Sequence, residues 1–125
     1  MKARIIKHNP NDEFYSEEKC FIIDASNSSD DNDMSIACAR VEPGITTKWH
    51  YLEGVDERYL IISGKGRVEI GDLEPELVKS GDIVLIPAGI KQRITNISED
   101  DLIFYCVCTP RFSQECYRVL NEPNN

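Results

Sequence analysis

Short runs of alternating apolar and polar residues, separated by glycine, proline and asparagine turns, recur along this chain about every eight to twelve residues. Residues 34–41, MSIACARV, put Ile36, Cys38 and Arg40 on one face and Ser35, Ala37, Ala39 and Val41 on the other. Cys38 therefore belongs either to the core or to a pocket wall. A Pro43-Gly44 turn opens a longer β-rich stretch that closes on Gly64-Lys65-Gly66. RVEIG follows, and a turn at Gly71-Asp72 begins a polar connection. Then LVKSGDIVLIPAGIKQRITNIS supplies a strand, the Ser80-Gly81-Asp82 turn, a buried strand, the Pro87-Ala88-Gly89 corner and a further strand. DLIFYCVCTP is a nearly continuous apolar strand stopped by Pro110.

Before this stretch the chain is less regular. ARII and CFII read as two strand-like pieces separated by the turn His8-Asn9-Pro10-Asn11-Asp12, with His8 in solvent. Residues 24–33, DASNSSDDND, are all turn and cap formers and predict a solvated loop; they lack the glycine and terminal glutamate of a calcium loop. No stretch before residue 111 carries a helical period, so the pattern predicts an all-β sandwich or barrel. Residues 113–120, SQECYRVL, predict a short helix with Ser113 as its N-cap and Cys116, Val119 and Leu120 facing inward.

Composition narrows the possibilities. A chain of 125 residues fits one domain with a sizeable core. With 14 basic and 22 acidic residues the net charge is -8, which works against polyanions and argues against nucleic acid as a partner. There is no apolar run long enough for a signal sequence or a membrane span, so the expectation is a cytoplasmic protein with no membrane partner. The 5 cysteines make an odd set without paired CxxC spacing, which points to reduced thiols.

Chemistry is concentrated around His50. A polar turn containing Gly54 separates it from Glu57, so the two residues lie near the same end of adjacent strands. With both side chains inward, an imidazole and a carboxylate converge inside the sandwich, and a buried carboxylate needs a partner or a cation. On the strand after Gly89, Gln92, Ile94 and Asn96 share a face, and Gln92 offers an amide to the same interior. A His, Glu and Gln set holds a divalent ion with positions left open for water or substrate. The plainer alternative is a hydrogen-bonded His–Glu pair, or pairing of Glu57 with Arg58 or Arg93 across the sheet. Tyr59 and Ile61 continue the face of Glu57, so a phenol stands beside the carboxylate, either orienting a ligand and donating a proton or bonded within the core. Trp49 and Tyr51 take the face opposite His50. Cys106 and Cys108 share a face with Phe104, as core residues or as a thiol-lined wall, and Arg111 either caps the pocket mouth or bonds turn carbonyls.

The spacing resembles that of the cupin superfamily. Its first motif is Gly, five residues, His-x-His, three or four residues, Glu, six residues, Gly. Here Gly44, His50, Leu52, Glu57 and Gly64 fall in that frame. The second motif, Gly, five residues, Pro-x-Gly, two residues, His, three residues, Asn, is matched by Gly81, Pro87, Gly89, Gln92 and Asn96. The strings SIACARVEPG, TTKWH, ERYLIISGKGRVE, QRITN and CTPRF are similar to a subgroup of small single-domain cupins to which the resemblance assigns no reaction.

The resemblance implies one cupin domain over residues 1–125, with motifs at 44–64 and 81–96. It implies an antiparallel β-sandwich barrel of the jelly-roll, double-stranded β-helix type, and a homodimer. It also implies a small polar metabolite bound in the barrel and a divalent metal (Mn, Fe, Zn or Ni) held by His50, Glu57 and Gln92. The metal is weakly held, because Leu52 and Gln92 stand where the family has imidazoles. The implied chemistry is that of a metal-assisted lyase, isomerase or dioxygenase, with Glu57 and Tyr59 as the catalytic proton carriers. The alternative is a metal-free ligand-binding or sensor module in which Leu52 marks a lost site.

Overall fold

The computed structural model describes residues 1–121. Eleven strands follow one another: β1 (Phe14–Tyr15), β2 (Phe21–Ser26), β3 (Ser35–Val41), β4 (His50–Leu52), β5 (Asp56–Ser63), β6 (Lys65–Ile70), β7 (Glu76–Lys79), β8 (Ile83–Ile86), β9 (Gln92–Asn96), β10 (Leu102–Thr109) and β11 (Tyr117–Val119). They form a six-stranded sheet in the order β1-β2-β3-β10-β5-β8 and a five-stranded sheet in the order β11-β4-β9-β6-β7, every pairing antiparallel. This is the expected jelly roll. Among the described residues no helix is long and apolar enough to cross a membrane.

Alternation decides what faces inward. Along β5, Glu57, Tyr59 and Ile61 are buried while Asp56 and Ile62 are exposed, and along β10 Leu102, Phe104 and Cys108 are buried. Val41, Ile94 and Leu102 are fully buried at the centre of the main apolar cluster. A smaller cluster of Leu52, Val55, Cys108 and Cys116 closes the other end. Glu57 is the residue at which the inward face of β5 leaves the main core, and Cys108 lies opposite it in register. A polar layer thus lies between two apolar ones.

The two motif turns are clamped together. The Gly89 N–H donates to the Leu52 carbonyl at 2.8 Å, and the Ala88 N–H donates to the Asp56 carboxylate at 2.8 Å. Asn96, 1% exposed, donates from Nδ2 to the carbonyls of Val41 and Asp100, both at 2.8 Å, so this motif position serves the fold.

Two expectations about the ends of the chain are corrected. Residues 113–120 do not form a helix: a single 3₁₀ turn, Gln114–Cys116, lacks a side-chain cap from Ser113 and leads into β11. The reason is the edge of β4, whose unpaired backbone groups are satisfied by a strand and not by a helix. Cys116 is buried as expected, but Val119 is 42% exposed. ARII likewise forms no strand, and Ile5 and Ile6 are exposed. The acidic loop begins after β2 and is tied down, because Asn27 Nδ2 donates to the Phe112 carbonyl at 2.9 Å and Arg4 pairs with Asp30 at 2.8 Å.

Candidate functional site

Strands β4 and β9 place His50 directly opposite Gln92, and β5 brings Glu57 and Tyr59 to the same interior. His50 Nδ1 lies 2.8 Å from the Lys48 carbonyl. A carbonyl only accepts, so Nδ1 carries the hydrogen and Nε2 presents its lone pair inward. Burial lowers the imidazole's pKa, which favours that neutral form.

Nε2 does not point at open space. It lies 3.5 Å from Oε1 of Glu18, a residue that belongs to neither motif and was not singled out from the sequence. Glu18 reaches the interior from the turn between β1 and β2, where Lys19 has φ 71, a left-handed conformation rare for a residue with a Cβ. No sequence signal marks such a turn, since glycine or asparagine is its usual occupant.

Glu57 is 8% exposed, and its Oε1 has no hydrogen-bond partner among the described residues. Burial pushes its pKa up to about 7; the charge of Glu18 adds to this, and His50, the Gln92 amide and the Cys106 thiol oppose it. Glu18 is pushed up to about 7 as well, by burial first and by neighbouring Glu17. Each carboxylate receives one weak thiol contact on its other oxygen: Cys108 Sγ donates to Glu57 Oε2 and Cys20 Sγ to Glu18 Oε2, both at 3.8 Å. Burial pushes the Cys20 thiol up to about 12 and raises Cys106 and Cys108 strongly, with Glu57 or Glu18 adding to it, so these are protonated thiols and not nucleophiles.

Tyr59 is 3% exposed and donates its phenol hydrogen to Gln92 Oε1, which fixes the amide with its N–H groups turned the other way and leaves that oxygen one further lone pair. Leu52 packs in the smaller apolar cluster. Trp49 faces away from His50 and carries the Arg93 guanidinium 4.3 Å from its ring centre. Arg111 holds the loop, with Nη1 2.9 Å from Asn27 Oδ1, and Cys38 lies half-buried on the outer face with Arg40.

A cavity of about 110 Å³ opens beside these groups, with room for several waters or one small metabolite. Glu17, Glu18, Asp24 and Glu57 line it, together with Cys106 and Cys108, and among the described residues no lysine or arginine does. Its far wall includes Tyr117, whose ring centre stands 5.1 Å from that of His50 and whose buried hydroxyl has no partner among the described residues. Tyr117 escaped the sequence reading because β11 was expected to be helical. His50, Tyr59 and Gln92 sit one layer behind the acidic wall.

Residues 38–108, more than half of the chain, match the family model for the cupin domain, and the chain belongs to the cupin family. It is 31% identical over 70 residues to an uncharacterized protein of Streptomyces coelicolor; that match takes in 56% of this chain and 65% of the relative's length. KdgF from Halomonas sp. superposes with a TM-score of 0.79 at 17% identity, over 91% of this chain and 99% of that one. The Streptomyces nucleoside dehydratase Pac13 superposes with a TM-score of 0.76 at 14% identity, over 94% and 92% of the two chains. At such identities the likeness is one of fold.

The family's divalent ion is matched by the donor types present. Nitrogen from His50 and oxygen from Glu57 suit a borderline or hard divalent ion, and the unpartnered Glu57 Oε1 is a buried acceptor in need of a positive group. Among the described residues no group of three or more histidine, cysteine, aspartate or glutamate side chains is placed to hold a metal ion.

Proposed function

We propose that residues 1–125 form one cupin domain that binds a small, polar, uncharged metabolite in the cavity and acts on it as a lyase or isomerase. A divalent ion is held by His50 and Glu57, with Gln92 Oε1 as a weaker third donor. The observation that carries this reading is the buried Glu57 Oε1, without a hydrogen-bond partner among the described residues, beside an imidazole whose lone pair faces inward. When bound, a divalent ion supplies Lewis acidity toward a substrate oxygen.

The chain's own residues supply the rest. Without an ion, the Glu57 carboxyl on the cavity wall, raised to about 7 by burial, takes and returns a proton near neutral pH, as a general acid–base needs; a divalent ion on Oε1 would hold it ionised, as an acceptor only. Tyr59 acts behind it, keeping Gln92 in one orientation and feeding a proton into the same hydrogen-bonded layer. Four carboxylates on a wall without a basic residue repel an anionic substrate, so a hydroxylated neutral compound is the favoured ligand class. The dehydratase among the structural neighbours is consistent with lyase chemistry on this fold. We place the protein in the cytoplasm, in line with its free thiols. Homodimerisation through the N-terminal edge fits the exposure of Phe14 and Tyr15 on β1 and of Ile5 before it.

The second reading, a metal-free binding or sensor module, is favoured by Leu52, which packs with Val55, Cys108 and Cys116 where a second imidazole stands in the family motif. Thermal melts of chelator-treated protein separate the two. With Mn²⁺, Fe²⁺ or Zn²⁺ at 100 times its dissociation constant the wild type gains about 2.7 kcal/mol of stability, whereas His50→Ala gains nothing. A wild type indifferent to all three ions leaves only the metal-free module.

A further inference from the structure

We propose that Tyr117, delivered by a strand outside both cupin motifs, is a ligand-binding residue: its hydroxyl meets one oxygen of a small neutral polyol while the Glu57 side of the same cavity meets another. This rests on the ligand-binding half of the reading above and not on the ion, and it adds a residue that the motifs do not contain.

Two buried side-chain atoms lack a hydrogen-bond partner among the described residues, Glu57 Oε1 and the Tyr117 hydroxyl, and both residues line the same cavity. Glu57 is more than nine-tenths buried. Asn96, Thr47 and Tyr59, by contrast, are each paired inside the protein, with the Val41 carbonyl, the Ile94 N–H and the Gln92 amide. Leaving a buried polar atom unpaired costs stability, so two such atoms on one cavity wall point to partners that come from outside the chain.

The ring alone does not explain the hydroxyl. Tyr117 packs with Phe112 against the smaller apolar cluster and stands over the His50 ring. Phenylalanine would serve that packing equally, as Phe112 does beside it, and would bury no polar atom. The backbone fixes where the hydroxyl goes. Strand β11 sets Tyr117 opposite Leu52 of β4, the Tyr117 N–H donates to the Gln114 carbonyl, and the Glu53 N–H donates to the Cys116 carbonyl at 2.8 Å. Arg118, next along the strand, pairs with Glu53 at 2.9 Å near the surface.

The two open groups define what fits between them. An ionised carboxylate only accepts, and a phenol both donates and accepts. A compound with two hydroxyl groups satisfies both, and the rings of Phe112 and Tyr117 on the wall offer apolar surface to its C–H groups. Tyr117 keeps this role whether Glu57 Oε1 meets the ligand directly or through an ion.

The test is NMR titration of the protein with xylitol and with D-xylose, uncharged five-carbon polyols. Wild type, Tyr117→Phe, Tyr51→Phe and Glu57→Gln are compared, with melting curves of the free proteins. Tyr117→Phe is expected to weaken binding of both probes about 5-fold. It is expected to melt no lower than wild type, because the lost hydroxyl has no internal partner to lose. Tyr51→Phe, on the other face of β4 from His50, is expected to bind like wild type. A tyrosine that serves only the fold gives the reverse pattern, a lower melting temperature with unchanged affinity, and overturns the proposal. Tyr117→Phe that binds both probes as tightly as wild type while Glu57→Gln binds them weakly also overturns it, with the cavity reading intact. If wild type binds neither probe, the neutral ligand class and this proposal fail together.

Discussion

Glu57→Gln is expected to stabilise the metal-free protein at pH 8 while removing its response to divalent ions. A buried carboxyl raised from 4.5 to about 7 keeps its proton in the folded state after the unfolded chain has released its own. Between pH 4.5 and about 7 the folded state therefore binds more protons, and stability falls as pH rises through that window. Above it the buried charged carboxylate, held only by weak thiol and amide contacts, is a constant penalty of about 3 kcal/mol. Glutamine keeps part of this penalty through its own amide, so a gain of about 2 kcal/mol, roughly 5–10 °C in Tm, is the expected result at pH 8. At pH 5 the difference shrinks toward zero. Glu18 contributes in the same direction but less, because 24% of its side chain meets solvent and water screens it. Melting curves across pH 5 to 8 check this, and a wild type whose metal-free stability rises over that range contradicts it.

The second large effect is structural. Gly64 is where the chain passes from β5 in one sheet to β6 in the other, at φ +85, and an added Cβ would stand 2.7 Å from the Asp101 carbonyl oxygen and 2.9 Å from the Leu102 Cα. Both obstacles are backbone, at the start of the strand that contributes fully buried Leu102, so neither gives way cheaply. Gly64→Ala is expected to cost about 3 kcal/mol or more. Gly81→Ala makes the control, since φ there is +94 but nothing lies within 4 Å of the added atom, and it is expected to cost about 1 kcal/mol. Equal urea midpoints for the two variants would show that crowding at the sheet crossing does not matter.

These two predictions draw on different layers of what the sequence reveals. The jelly roll is legible because its turns need particular residues: Gly44, Gly64, Gly81 and Gly89 all have positive φ, and the Pro87-Ala88-Gly89 corner is fastened to Leu52 and Asp56. Period-two alternation likewise puts Glu57, Tyr59 and Ile61 inward without reference to any fold. The register of β4 against β9, which sets His50 opposite Gln92, follows once those strands pair.

The rest was hidden for identifiable reasons. Residues 117–119 pair as β11 only because β4 has an open edge, a tertiary demand that outweighs the local capping pattern at Ser113. Glu18 sits in the polar tetrapeptide Ser16-Glu17-Glu18-Lys19, which looks like any surface turn; only the left-handed Lys19 and the hold of Lys48 on its carbonyl turn its side chain toward His50. The chemistry of the site is accordingly legible in its motif half and invisible in the half that the N-terminal segment supplies.

The central claim is that a divalent ion has a place between His50 and Glu57. Its most direct test is an anomalous difference map from crystals of the protein grown with Mn²⁺. The account predicts one strong peak within about 2.3 Å of His50 Nε2 and of Glu57 Oε1. A map without a peak beside the imidazole, or with manganese only at the exposed carboxylates of Glu17 and Asp24 along the cavity mouth, would contradict it.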